Sequence, residues 1–271
     1  MKIFVKIIVF SFILNVLHIS EVFPRAYDKD KDSKQLRSSH FVINYHKDVD
    51  YSHVNKIKNT AEKYYTIITQ EFNLIRDEFW SWENRAKIFI AKDRDDYKTR
   101  FECPPWSGAC VDYINKKIYT FPNHQQFESI LIHELTHIIF REYVGTGQLP
   151  LWLDEGTACY VEDKYAKTKY KNSLFELKKR LKNDKYIKLT DLSNITGTNL
   201  KSYPDEDVRF FYLESFSIVN FIITKYGKRK FYNLKQALKK GYSFEEALAK
   251  KFYYLKDLDG LEKAWKKFYL K

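Results

Sequence analysis

The stretch His133-Glu134-Leu135-Thr136-His137 constrains this chain more than any other. Two histidines four apart fall on one face of a helix, so both imidazoles can point at one spot. The flanks are apolar: Ile130, Leu131 and Ile132 before the stretch, Ile138, Ile139 and Phe140 after it. A chance surface helix with two histidines would not carry such flanks, so the polar pair is expected in a largely buried helix. Buried polar groups need partners, and one ion satisfies several of them together. Eighteen residues beyond His137 stands Glu155, within Pro150-Leu-Trp-Leu-Asp-Glu-Gly-Thr-Ala158. It can supply an oxygen ligand from a following helix. Two imidazoles and one carboxylate leave a tetrahedral position open for water, as in a catalytic zinc site binding one Zn2+ per chain. Glu134 lies between the ligands, placed to take a proton from that water.

These residues resemble the gluzincin metallopeptidases, in particular the peptidase MA-like group, whose pattern is H-E-x-x-H followed by a W-L-x-E-G-x-A segment. His133, Glu134, His137, Trp152, Leu153, Glu155, Gly156 and Ala158 all match. Outside the core, Ser39-His-Phe-Val-Ile-Asn-Tyr45 is similar to that group's opening strand. Tyr212-Leu-Glu-Ser215, running into Phe221 and Lys225-Tyr226-Gly227, is similar to its helix after the ligand segment.

The resemblance implies a zinc metallopeptidase that hydrolyses peptide bonds in a peptide or protein substrate, and the N-terminal apolar run described below makes it a secreted one. His133, His137 and Glu155 would be the metal ligands and Glu134 the general base, later delivering its proton to the leaving amine. The oxyanion needs a second donor. Gluzincins often use a downstream tyrosine or histidine; no histidine follows His137, which favours a tyrosine, and Tyr212, read as opening the helix after the ligand segment and matching the related pattern, is the candidate. A sheet edge above the active helix binds the substrate backbone in this superfamily, and Ile118 to Phe121 is the candidate edge. One residue departs from the pattern. Thermolysin-like gluzincins carry an aspartate four residues after the ligand glutamate, bracing a zinc histidine; here that position is Cys159. A thiol is a poor acceptor, so Glu162 or Asp154 would have to supply the brace. Cys159 as a fourth ligand would close the open position.

Two readings from other classes compete. One is an exported binding protein on a vestigial metallopeptidase fold; an intact Glu134 argues against it, since a binding-only site has no use for a base. The other is a zinc amidase acting on a non-peptide or cell-wall amide, which the sequence does not separate from a peptidase.

Lys2 and Lys6 precede an apolar run from Ile7 to Leu14 that is interrupted at Asn15. A spanning helix needs about 20 apolar residues, so residues 1–20 read as a secretory signal peptide or a retained N-terminal anchor. Cys103 and Cys110 flank a turn-rich segment, which suggests a short disulfide loop in an oxidising compartment; two free thiols are the alternative. Cys159 is then the odd one, expected buried beside the site. The net charge is +12 with lysines spread along the chain. That spread fits a general compositional bias or attraction to an anionic cell envelope. No nucleic-acid module signature is present.

Residues 21–37 are polar and charged and read as a linker. Phe41–Tyr45, Lys87–Ala91 and Lys117–Phe121 read as strands. Tyr51 to Leu74 has helical apolar spacing at Val54, Ile57, Ala61, Tyr64, Tyr65, Ile68 and Phe72. Helices are expected over about 127–143, 153–165, 208–226 and 258–270, with Leu174, Leu177 and Leu181 at helical spacing between them. Ser243 with Glu246 forms a capping box that opens a further helix. The expected class is α+β: a small mixed sheet packed on the H-E-x-x-H helix over residues 38–145, followed by an all-helical subdomain over 146–271.

Overall fold

The computed structural model describes residues 31–74, 80–101, 103, 107–122, 127–145, 149–166 and 170–271. The proposed leader at residues 1–20 lies outside them. Two compact units divide the chain between Ile138 and Ile139.

In the first unit, five strands form one sheet: β1 (Ser33–Arg37), β2 (Phe41–His46), β3 (Ala86–Ile90), β4 (Ala109–Asp112) and β5 (Lys117–Thr120), in the order β1-β2-β3-β5-β4. β2, β3 and β5 run parallel, with Ile43 opposite Ile88 and Ile88 opposite Ile118, while β1 and β4 pair antiparallel on the two outer sides. The parallel centre is apolar, as strands covered on both faces must be; Ile43, Ile88, Phe89, Ile90 and Ile118 are fully buried. Two expectations change here. Residues 33–37, read as linker, form β1; its polar sequence Ser-Lys-Gln-Leu-Arg suits an outer strand, where charged side chains discourage further pairing. The candidate edge at Ile118–Phe121 is not an edge, because β5 lies between β3 and β4. The outer strand on that side is β4.

Helix α1 (Tyr51–Glu71) starts at Asp50, whose carboxylate caps the Ser52 N–H at 2.9 Å. It buries Val54, Ile57, Ala61, Tyr64, Tyr65 and Ile68, the face its spacing predicts, and packs against β2. Helix α2 (Arg94–Phe101) contributes Tyr97 and Phe101 to a cluster with Phe89, Ala91, Tyr119, Cys103 and Cys110. The two cysteines are joined as a disulfide, and Cys159 is free and buried. Helix α3 (Phe127–Val144) carries the two histidines.

The second unit is helical: α4 (Leu151–Tyr165), α5 (Tyr170–Lys182), α6 (Leu189–Asn194), α7 (Gly197–Leu200), α8 (Asp205–Tyr226), α9 (Lys228–Lys239), α10 (Phe244–Lys251) and α11 (Leu258–Leu270). An N-terminal sheet with helices after it is the α+β class that the sequence suggests. The Ser243–Glu246 capping box opens α10 as expected. Helices α4 and α8 form the centre of this unit. A Cβ on Gly156 would collide with the backbone carbonyl of Ser215, so glycine is what lets these two helices approach. Trp152 anchors the start of α4: it is fully buried, stacks edge-on against Phe244 at 5.0 Å, and donates to Ser193 Oγ at 3.1 Å.

Candidate active site

Around its polar motif, helix α3 is lined by the apolar Ile130, Leu131, Ile132, Ile138, Ile139 and Phe140. Leu135 is fully buried, and the Thr136 hydroxyl donates back to the Ile132 carbonyl at 2.7 Å. The other polar groups of the motif are His133, Glu134 and His137, with 3 %, 3 % and 0 % of their surface exposed. Such values make solvent a poor partner for all three. The two imidazoles converge, with His133 Nε2 and His137 Nε2 3.1 Å apart. Two nitrogens bound to one tetrahedral ion at about 2.0–2.1 Å would be separated by about 3.3 Å. The observed spacing therefore fits a shared metal ion, and the neutral imidazole is the commonest protein ligand for one.

Glu134 is held by a residue that sequence reading missed. The Tyr113 hydroxyl donates to Glu134 Oε2 at 2.8 Å, and its ring sits edge-on to His137, centroids 5.7 Å apart at 77°. Tyr113 opens the turn between β4 and β5. Asp112 fixes that turn by accepting from the Asn115 N–H at 3.0 Å and the Asn115 side-chain amide at 2.8 Å. Lys116 closes it with φ of 53°. The run Asp-Tyr-Ile-Asn-Lys was the available signal, since Asp and Asn favour such turns.

In the second unit, Glu155 sits on α4 and is fully buried, and its neighbours from Trp152 to Asp163 are buried as well. A carboxylate in such surroundings requires compensation by a cation or donors. Its neighbour Asp154 accepts from Arg141 Nε and Nη2, each at 2.6 Å. Cys159 and Glu162 adjoin Tyr170, which is hydrogen-bonded to the Cys159 thiol. Burial first, then these two groups, push the Tyr170 phenol well above its ordinary value. Tyr212 does not head its helix: α8 begins at Asp205, after Pro204, and Tyr212 lies in the interior, 2 % exposed. The helix starts earlier than its apolar pattern because Asp205, Glu206 and Asp207 fill the first turn, where acidic side chains oppose the helix dipole.

Among the described residues, the buried side chains that could hold a metal are His133, His137 and Glu155; an alternative set shares His133 and adds Cys159 and Glu162. The first set is two imidazoles and a carboxylate, donors suited to zinc and its neighbours. No curated protein matches the chain. Residues 101–271 match the Peptidase MA superfamily. The match takes in Tyr113, the whole of α3 and the Glu155 segment, covers more than half of the sequence, and establishes that the chain belongs to the Peptidase MA superfamily.

Proposed function

We propose that the chain is an exported gluzincin-type metallopeptidase that hydrolyses peptide bonds with zinc on His133, His137 and Glu155. The observation that carries this reading is the pair of buried Nε2 atoms 3.1 Å apart, with a carboxylate between them in sequence that is hydrogen-bonded at 2.8 Å. A histidine pair serving only to fill the core would have no use for an adjacent buried glutamate. The bound ion would supply Lewis acidity toward a carbonyl and toward water. Glu134 accepts the proton of the attacking water and passes it to the departing amine, so the carboxylate ends each turnover as it began. Tyr212 is proposed as the donor to the oxyanion. Lys2, Lys6 and the apolar run from Ile7 to Leu14 support a secreted or envelope-associated location, as does the Cys103–Cys110 disulfide.

The test is metal content together with degradation of a mixed peptide library, wild type against Glu134→Gln. The expected result is about one zinc per chain in both proteins. Cleavage should fall by several orders of magnitude in the variant. A wild-type protein that holds no stoichiometric metal after reconstitution with zinc rejects the metalloenzyme. A zinc protein that cleaves amides but no peptide moves the assignment to an amidase. Zinc without any turnover leaves a binding protein.

A further inference from the structure

Glu134 has two carboxylate oxygens, and a general base works with one of them. Which oxygen faces the reacting water depends on the rotation of a flexible side chain. In this chain Oε2 is taken: the Tyr113 hydroxyl donates to it at 2.8 Å. The same phenol ring lies edge-on to His137. One side chain thus touches both the proposed base and a proposed ligand.

The support under Tyr113 is rigid. The preceding strand β4 pairs with β5, setting Cys110 opposite Tyr119 and Asp112 opposite Lys117. Cys110 is tied by its disulfide to Cys103 within the aromatic cluster of Phe89, Tyr97, Phe101 and Tyr119. Beyond Tyr113, the Asp112–Asn115 bonds and the left-handed Lys116 fix the turn. Tyr113 itself is only partly buried.

We infer that Tyr113 is a positioning residue for Glu134: its hydroxyl pins Oε2 so that Oε1 is the oxygen presented to the reacting water. The inference rests on the reading of Glu134 as the base. The disulfide and the hairpin turn acquire a purpose under it, since they set where the phenol stands. Holding a reacting group in one geometry removes rotational freedom before the reaction and speeds the step itself, leaving substrate affinity unchanged.

The experiment uses the full zinc-loaded chain and a fluorogenic peptide drawn from the library sequences that it cleaves. Tyr113→Phe removes one oxygen and keeps the ring against His137. The expected result is a fall in kcat of about 10- to 100-fold, with KM within about twofold and zinc content unchanged. The double variant Tyr113→Phe/Glu134→Gln should be no slower than Glu134→Gln alone, because a residue that acts through Glu134 has nothing left to act on. Unchanged kcat, or full additivity in the double variant, overturns the inference. A second arm does not depend on turnover. In protein labelled with 13C at tyrosine Cζ, the Tyr113 resonance is identified by its loss in Tyr113→Phe. Glu134→Gln should shift that resonance, since a charged acceptor becomes neutral; a resonance that stays in place also overturns the inference. A wild-type protein that cleaves nothing while the resonance shifts rejects the peptidase reading and leaves the Tyr113–Glu134 contact standing, so the two failures are told apart.

Discussion

Arg141 and Asp154 form a largely buried ion pair, with Arg141 16 % and Asp154 3 % exposed, in which both Nε and Nη2 of the guanidinium meet the same carboxylate oxygen at 2.6 Å. Arg141 follows His137 by one helical turn, and Asp154 immediately precedes Glu155. The pair ties the end of α3 to the start of α4, two helices that carry proposed ligands. Asp154 is 3 % exposed, so its charge depends on that partner. Removing one member of a buried pair typically costs about 3–5 kcal/mol, because the other charge is left without compensation. Arg141→Ala should therefore destabilise the protein by about that much in urea denaturation, and zinc retention against a chelator should weaken with it. A variant as stable as wild type would show that Asp154 has another sufficient partner.

Gly156→Ala tests the close approach of α4 and α8. The added methyl would meet the Ser215 carbonyl and, at 2.9 Å, Val219 Cγ2. Backbone cannot yield as a side-chain tip can, so the helices must separate. The expected loss is about 1–3 kcal/mol or more, as for other overpacked cores. Chemical denaturation measures it, and a neutral result would mean that the two helices slide apart without cost.

Glu214, fully buried on α8, gives a pH signature. Burial raises its carboxyl to about 8; the Ile187 N–H, hydrogen-bonded at 3.0 Å to Oε2, and Arg180 oppose the rise, while Glu262 adds to it. The folded pKa lies above the unfolded one, so the stabilisation is complete below about pH 4.5 and is lost as pH rises through about 8. A gap of this size corresponds to about 5 kcal/mol at alkaline pH. Glu214→Gln keeps an acceptor for Ile187 and cannot ionise. Its melting temperature should exceed that of wild type at pH 8.5, with the advantage shrinking toward pH 4.5. Parallel curves for the two proteins across that range would show that Glu214 ionises normally.

Tyr212→Phe separates a proposed chemical role from packing. As an oxyanion donor, Tyr212 would be used only in the transition state, so turnover should fall about 10- to 1000-fold with little change in KM. Its burial on α8, where it contributes to the raised pKa of Tyr170, allows a second outcome. A shifted melting temperature with turnover near wild type would assign it to packing. Measuring both on one preparation decides.

The sequence alone determined several of the helices and placed both motif histidines on one of them. His133, Glu134 and His137 on one helix follow from spacing and apolar flanks, and α1 buries the face that its periodicity marks. Ser243 and Glu246 announce α10 because a capping box is a local exchange of hydrogen bonds over three residues. Such signals are legible because the groups involved are close in the chain. Strand pairing is not local. β4 spans only four residues, too short to show alternation, and β1 is polar enough to read as linker. Only the tertiary structure decided that β4 lies outside β5, which removed the expected edge and set Tyr113 against Glu134 across 21 residues of chain. The reason for Gly156 is likewise nonlocal: it lies in the carbonyl of Ser215 on another helix, which no inspection of the Trp152–Ala158 segment could supply.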